Sequence, residues 1–214
     1  MAFSPLILAG ASWRDRLLAC VGALVGITLT AWIGALATGS AAGALIVAPM
    51  GASAVLVFAV PASPLAQPWP VVAGNALSAL VGIAVAALVP VPALAAGVAV
   101  GLAILLMSLT RSLHPPGGAA ALLAVVGGPA VAALGWRFAI VPVLLNAAVL
   151  AGLGMLFHRF SGHSYPHRPV TAPLAHPEDV DAALVDLGET LDVAREDIDA
   201  LLARVAHHAR ARRR

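Results

Sequence analysis

Apolar residues run along this chain in long stretches rather than in alternating patterns. A helix needs about 20 such residues to cross the hydrocarbon core of a bilayer. Stretches 17–38, 71–89, 93–110 and 138–158 meet that length. Two more are long enough but carry breakers. Pro49-Met50-Gly51 stands in the middle of 41–60, and 112–135 is entered through His114-Pro115-Pro116-Gly117-Gly118. Proline offers no N–H and cannot continue a helix. In lipid the freed carbonyls must find partners, so both segments are expected as broken helices or re-entrant hairpins facing protein.

The order full, broken, full, full, broken, full suggests an internal repeat. Pro49-Met50-Gly51-Ala52-Ser53-Ala54-Val55-Leu56 aligns with Pro116-Gly117-Gly118-Ala119-Ala120-Ala121-Leu122-Leu123. The next full helix of each half carries one amide, Asn75 or Asn146, at 26 and 30 residues from its proline. Crossing broken segments give three spans per half and inverted halves; hairpins give two spans and parallel halves. Both counts are even, so both termini lie on one side of the membrane. Arg14 and Arg16 before the first span, and Arg159 and Arg168 after the last, put that side in the cytoplasm of a multi-pass cell-membrane protein. Arg137 is the dissenting charge.

The character changes after residue 160. Residues 1–160 read as the membrane domain, 161–176 as a His/Pro-rich linker and 177–214 as a cytoplasmic helical tail. Helices are expected over 177–187, with Pro177 in the first turn and Glu178 and Asp179 complementing the dipole, and over 193–209. Gly188 can stop the first and Asp192 can cap the second. Leu184, Leu187, Leu191, Ile198, Leu201 and Val205 make an apolar stripe that serves either a hairpin packed on itself or an association surface.

Charge sharpens this picture. Only 10% of the 214 residues are charged, against about 25% in soluble domains. All 12 basic residues are arginine. Residues 1–160 hold five Arg and one Asp, and 161–214 hold seven Arg and nine acids, which is +4 and −2 and sums to +2. The basic cluster Arg210, Arg212, Arg213 and Arg214 has no reading element beside it, so lipid headgroups or solvent are expected there and nucleic acid is not. The single cysteine, Cys20, lies in an apolar run and reads as a small core residue. His158, His163, His167 and His176 follow no metal-ligand spacing.

No Asp or Glu stands between Arg16 and Glu178. Carboxylate-based cation transport and acid/base hydrolysis lack their usual groups there, and a lone histidine is a poor catalyst. No catalytic residue, metal or cofactor is expected. Helix N-termini favour anions. Met50, Gly51 and Ala52 behind Pro49 in one half, and Gly117, Gly118 and Ala119 behind Pro115 and Pro116 in the other, would offer uncommitted N–H groups. Ser53 adds a hydroxyl and His114 a ring donor. The same glycines also suit close helix packing, and the two readings stand level on the residues alone. Arg111 suits headgroup contact, and Asn75 and Asn146 suit hydrogen bonds between helices.

Leu113-His114-Pro115-Pro116-Gly117-Gly118-Ala119 resembles the signature of the HPP integral membrane family. Pro49-Met50-Gly51-Ala52-Ser53-Ala54-Val55-Leu56 and Ser63-Pro64-Leu65-Ala66-Gln67-Pro68 resemble its other landmarks, in the family's order, so the likeness covers roughly residues 10–160. It implies four membrane spans, and a transport role for a small inorganic anion, because some plant and cyanobacterial members are implicated in nitrite transport. The tail is similar to the segment that leads into tandem CBS domains in longer members, and no nucleotide-sensing role is carried over. The chain is thus expected to be an all-α polytopic bundle with two Pro/Gly-broken segments, moving an anion through the bilayer. The alternative is a membrane anchor or regulator acting through its tail; self-association stays open.

Overall fold

The computed structural model describes residues 13–38, 47–168, 176–187 and 191–212, and all regular structure among them is helical. The helices are α1 (Trp13–Thr38), α2 (Pro49–Ala59), α3 (Pro70–Leu88), α4 (Pro92–Leu109), α5 (Pro115–Val126), α6 (Gly128–Leu134), α7 (Ala139–Ser161), α8 (Pro177–Leu187) and α9 (Arg195–Ala211). Four of them, α1, α3, α4 and α7, are long and apolar enough to cross a bilayer. They coincide with the four uninterrupted stretches of the sequence.

The two broken segments differ from each other. α2 has 11 residues, a rise of about 16 Å, and cannot cross alone. α5 starts directly after His114 and runs to Val126, where α6 departs at 98°. That bend falls at Gly127-Gly128-Pro129, with Gly128 at φ +75°, a left-handed backbone that glycine adopts without steric cost. The Pro115-Pro116 pair therefore opens a helix, and the sharp break of this segment lies a dozen residues later.

Small residues let the central helices meet closely. A Cβ on Gly74 would stand 2.5 Å from Ser112 O, one on Gly117 2.7 Å from Gly74 O, and one on Gly82 2.3 Å from Ala121 O. Residues 74 and 82 thus pair with 117 and 121 in the same order, so α3 and α5 run parallel in near backbone contact. α4 packs beside them through the buried ridge Ala95, Ala99, Ala103 and Met107. The larger core holds Met50, Val57, Phe58, Val71, Phe138, Val143 and Leu150. On α1, Gly22 and Gly26 lie under the Phe58 ring, 2.6 Å from where each Cβ would be. α3 and α7 both begin with a wide π-type turn, Pro70–Gly74 and Ala139–Leu144. A fully buried asparagine follows each, Asn75 or Asn146.

One end of the bundle is tied together by hydrogen bonds. Trp69 Nε1 donates to Thr110 O, Tyr165 Oη donates to Ala66 O at 2.8 Å, and the His167 N–H donates to Gln67 Oε1. His163 stands 3.6 Å from Asp15. α1 and α3 start at this end and α4 and α7 finish there. The expected linker is thus docked as far as His167, through Tyr165 and the His167 N–H.

The tail helices fall where the sequence puts them, within two residues at each end; Gly188 lies outside the described residues. Asp192 does not cap α9. The helix begins at Arg195, and the Asp192 carboxylate instead accepts from Ser63 Oγ at 2.8 Å. Nor does a self-packed hairpin cover the apolar stripe: Leu187, Leu191, Leu201 and Val205 remain exposed.

Candidate functional site

A buried hydrogen bond between two side chains joins the two broken segments. Ser53, one turn into α2, and His114, the residue before α5, are both fully buried. Ser53 Oγ lies 2.8 Å from His114 Nε2, and His114 Nδ1 lies 2.8 Å from Leu65 O. A carbonyl can only accept, so Nδ1 carries the hydrogen of the neutral ring, and Nε2 accepts from the Ser53 hydroxyl. Ser53 Oγ in turn accepts from Asn75 Nδ2 at 3.3 Å. The same Nδ2 donates to Val71 O at 2.8 Å, which fixes the amide's orientation. Asn75 Oδ1 and, one turn on, Ser78 Oγ are buried without a hydrogen-bond partner. Residues from α2, the 60–69 loop, α3 and the start of α5 thus build one polar centre.

Local sequence explains the placement. Val60 to Trp69 carries Pro61, Pro64 and Pro68, which bar a continuous helix and fold the loop back into the bundle. Gln67 fastens it by donating to Pro61 O and Ser63 O. At the end of α4, Arg111 takes a left-handed φ of 53°, and the Ser112 N–H donates to Met107 O. This αL cap turns the chain so that extended His114 (φ −145°) points inward.

The structure brings some sequence-derived site residues together and disperses others. Pro49, Met50, Pro116 and Gly117 are buried in packing, Gly118 is half-buried, and Gly51, Ala52, Pro115 and Ala119 are exposed. Three of the N–H groups expected to be uncommitted are already used. Met50 N donates to Val47 O, Gly51 N to Ala48 O and Gly117 N to His114 O. Before α2 the chain already turns, Ala48 itself having helical dihedrals, and at α5 the carbonyl of extended His114 takes the Gly117 N–H in the first turn. What converges is therefore a pair of side chains, Ser53 and His114. His114 is also not lone: a hydroxyl faces one ring nitrogen and a carbonyl the other. Leu65 and Ser78 did not stand out in the sequence. Ser78 could have, lying three residues after Asn75 and so on the same helix face; a carbonyl such as that of Leu65 leaves no signal.

The family profile for the HPP transmembrane region matches residues 9–166. The chain belongs to the HPP transmembrane family. It is similar to a transmembrane protein of Dictyostelium discoideum, 42% identical over 130 residues, covering 57% of this chain and 44% of the relative. A second Dictyostelium discoideum transmembrane protein is 41% identical over 117 residues, covering 51% of this chain and 36% of that protein. The matched region thus spans less than half the length of these two relatives. No solved structure matches the chain. The HPP match encloses all of α1 to α7, the Ser53–His114 pair and the docked Tyr165.

Proposed function

We propose that this HPP-family protein is a transporter or channel for a small inorganic anion, nitrite being the first candidate, and that the anion passes the Ser53–His114 centre. The carrying observation is that this hydrogen bond joins two interrupted helices inside a region without a single carboxylate from Arg16 to Glu178. Irregular backbone at membrane depth is tolerated where it is covered by protein or lines a path. The Ser53 hydroxyl is the donor that an anion would recruit once the bond between the two segments opens, and the His114 Nδ1–H joins it where the ring also leaves Leu65 O. The described arrangement is then the closed one. Uptake into proteoliposomes, compared across nitrite, nitrate, formate and chloride, tests the reading.

The reading includes an inverted repeat. α1 to α3 and α4 to α7 each contain a long helix, an interrupted segment opened by proline and a helix with a π-type first turn before a buried Asn. Superposition of the halves, Pro49 on Pro116, is the check. The bundle end that gathers Arg14, Arg16, Arg111, Arg159 and Arg168 is read as cytoplasmic; Arg137 sits toward the other end. Impermeant thiol labelling of cysteines placed at either end tests that orientation.

Catalysis is not proposed. Ser53 and His114 have the connectivity of a nucleophile and its base, but the Ser53 hydroxyl is buried and also accepts from Asn75. The second reading, a membrane anchor acting through its tail, draws on the Ser63–Asp192 and His167–Asp197 contacts at 2.8 Å. Deleting residues 170–214 separates the two: a transporter keeps its flux, and an anchor loses its effect.

A further inference from the structure

The tail presents two faces of opposite charge that do not meet among the described residues. α8 carries Glu178, Asp179, Asp181 and Asp186 and no basic residue, with Val185 and Leu187 exposed. The second half of α9 carries Arg204 and Arg210, Arg212 follows its last residue, and Leu201 and Val205 are exposed. Leu201, Arg204, Val205, His208, Ala211 and Arg212 line a groove of about 600 Å³. Arg204, Arg212 and Asp186 make no ion pair among the described residues.

Within one chain the two faces cannot align. Arg195 Nε donates to Asp181 at 2.8 Å and Arg195 also pairs with Asp199. The start of α9 is therefore held beside the middle of α8. Arg212 lies 17 residues further along the helix, about 25 Å from that contact, beyond the end of α8. Between two chains the spacing matches. Glu178 to Val185 and Val205 to Arg212 are both seven residues, two helical turns. An antiparallel pair sets Glu178 against Arg212, Val185 against Val205 and Asp186 beside Arg204. A surface of anionic lipid would attract the arginines of α9 and repel the four carboxylates of α8, whereas a second copy satisfies both.

We propose that the acidic face of α8 and the basic half of α9 form an interface between two copies of this chain, α8 of each lying antiparallel on α9 of the other. The contact is reciprocal and closes as a two-fold dimer. It buries Val185 and Val205, and it weakens with salt because its charges are exposed.

The test uses full-length protein in vesicles of phosphatidylcholine, with Cys20, which is exposed on α1 and not the core residue the sequence suggested, replaced by Ser. One batch carries Val185→Cys and another Val205→Cys. A short bismaleimide should join the mixed batches into dimers much more than either batch alone. Glu178→Arg should cut the yield severalfold, and adding Arg212→Glu should restore it. These exposed positions leave the membrane domain untouched, which a matching thermal midpoint verifies. Equal yields in mixed and separate batches, or a yield indifferent to the charge swap, would overturn the proposal. So would loss of the dimer when anionic lipid replaces phosphatidylcholine at constant salt.

Discussion

Ser53 Oγ and His114 Nε2, 61 residues apart in the chain, lie 2.8 Å from each other with both side chains fully buried. A buried hydrogen bond removed from one side leaves the other group unsatisfied, at about 1–3 kcal/mol. Ser53→Ala should therefore lower stability by about that amount, through a stranded His114 Nε2. His114→Ala should cost more, because it strands Leu65 O and leaves a cavity as well. Denaturation in detergent, followed by circular dichroism, checks both. If Ser53→Ala is neutral, the contact does not tie α2 to α5.

The glycines of the two proline segments should separate sharply. A Cβ on Gly117 would meet Gly74 O at 2.7 Å and Met107 Sδ at 2.9 Å, whereas a Cβ on Gly51 meets nothing within 4 Å. Gly117→Ala should destabilise by about 1–3 kcal/mol, the usual range for overpacking, and Gly51→Ala should fold normally. Thermal midpoints of the two variants decide this; equal midpoints would contradict the α3–α5 contact.

Phe58 and Gly26 should be coupled. Gly26→Ala places a methyl 2.6 Å from the Phe58 ring, so it should displace α1 from α2. Phe58→Leu should relieve much of that penalty. A double-mutant cycle measures the coupling, and simple additivity would mean the two do not touch.

Tyr165 offers a readout by pH. It is the chain's only tyrosine, it donates to Ala66 O, and burial pushes its hydroxyl pKa up. A group whose pKa is raised on folding contributes stability in full below its unfolded value, about 10 for tyrosine, and loses it as pH rises above that. Absorbance of the native protein should show no tyrosinate near pH 10, and stability should fall above that pH. Tyr165→Phe should remove this fall and cost about 1 kcal/mol at neutral pH. Ordinary titration near 10 in the folded protein would show that the 60–69 loop is not fastened this way.

The long helices were legible because length and apolarity alone decide whether a segment can span a bilayer. The tail helices were legible too, since Pro177 and the acids after it mark a start. Ser53 and His114 were named as candidates, but for the wrong partners. Proline and glycine suggested open helix N-termini, while the turn before α2 had already used the N–H groups of Met50 and Gly51, and the His114 carbonyl that of Gly117. The bend at Gly127-Gly128 escaped notice beside the more conspicuous His114-Pro115-Pro116. Leu65 could not be foreseen, because its contribution is a backbone carbonyl whose position depends on how three prolines fold a loop. Asp192 carried a capping residue's identity, yet Ser63 on a distant loop competes for its carboxylate.

The most direct test is the initial rate of nitrite uptake into proteoliposomes, compared between the native chain and Ser53→Ala, with insertion and folding verified separately. Uptake by the native chain should saturate with concentration and exceed that of empty vesicles. Ser53→Ala should lower it by roughly tenfold, as expected when about 1.4 kcal/mol of interaction with the passing ion is lost. Equal rates for folded Ser53→Ala and native protein, or no uptake above empty vesicles for nitrite or for nitrate, formate and chloride, would contradict an anion path through the Ser53–His114 centre.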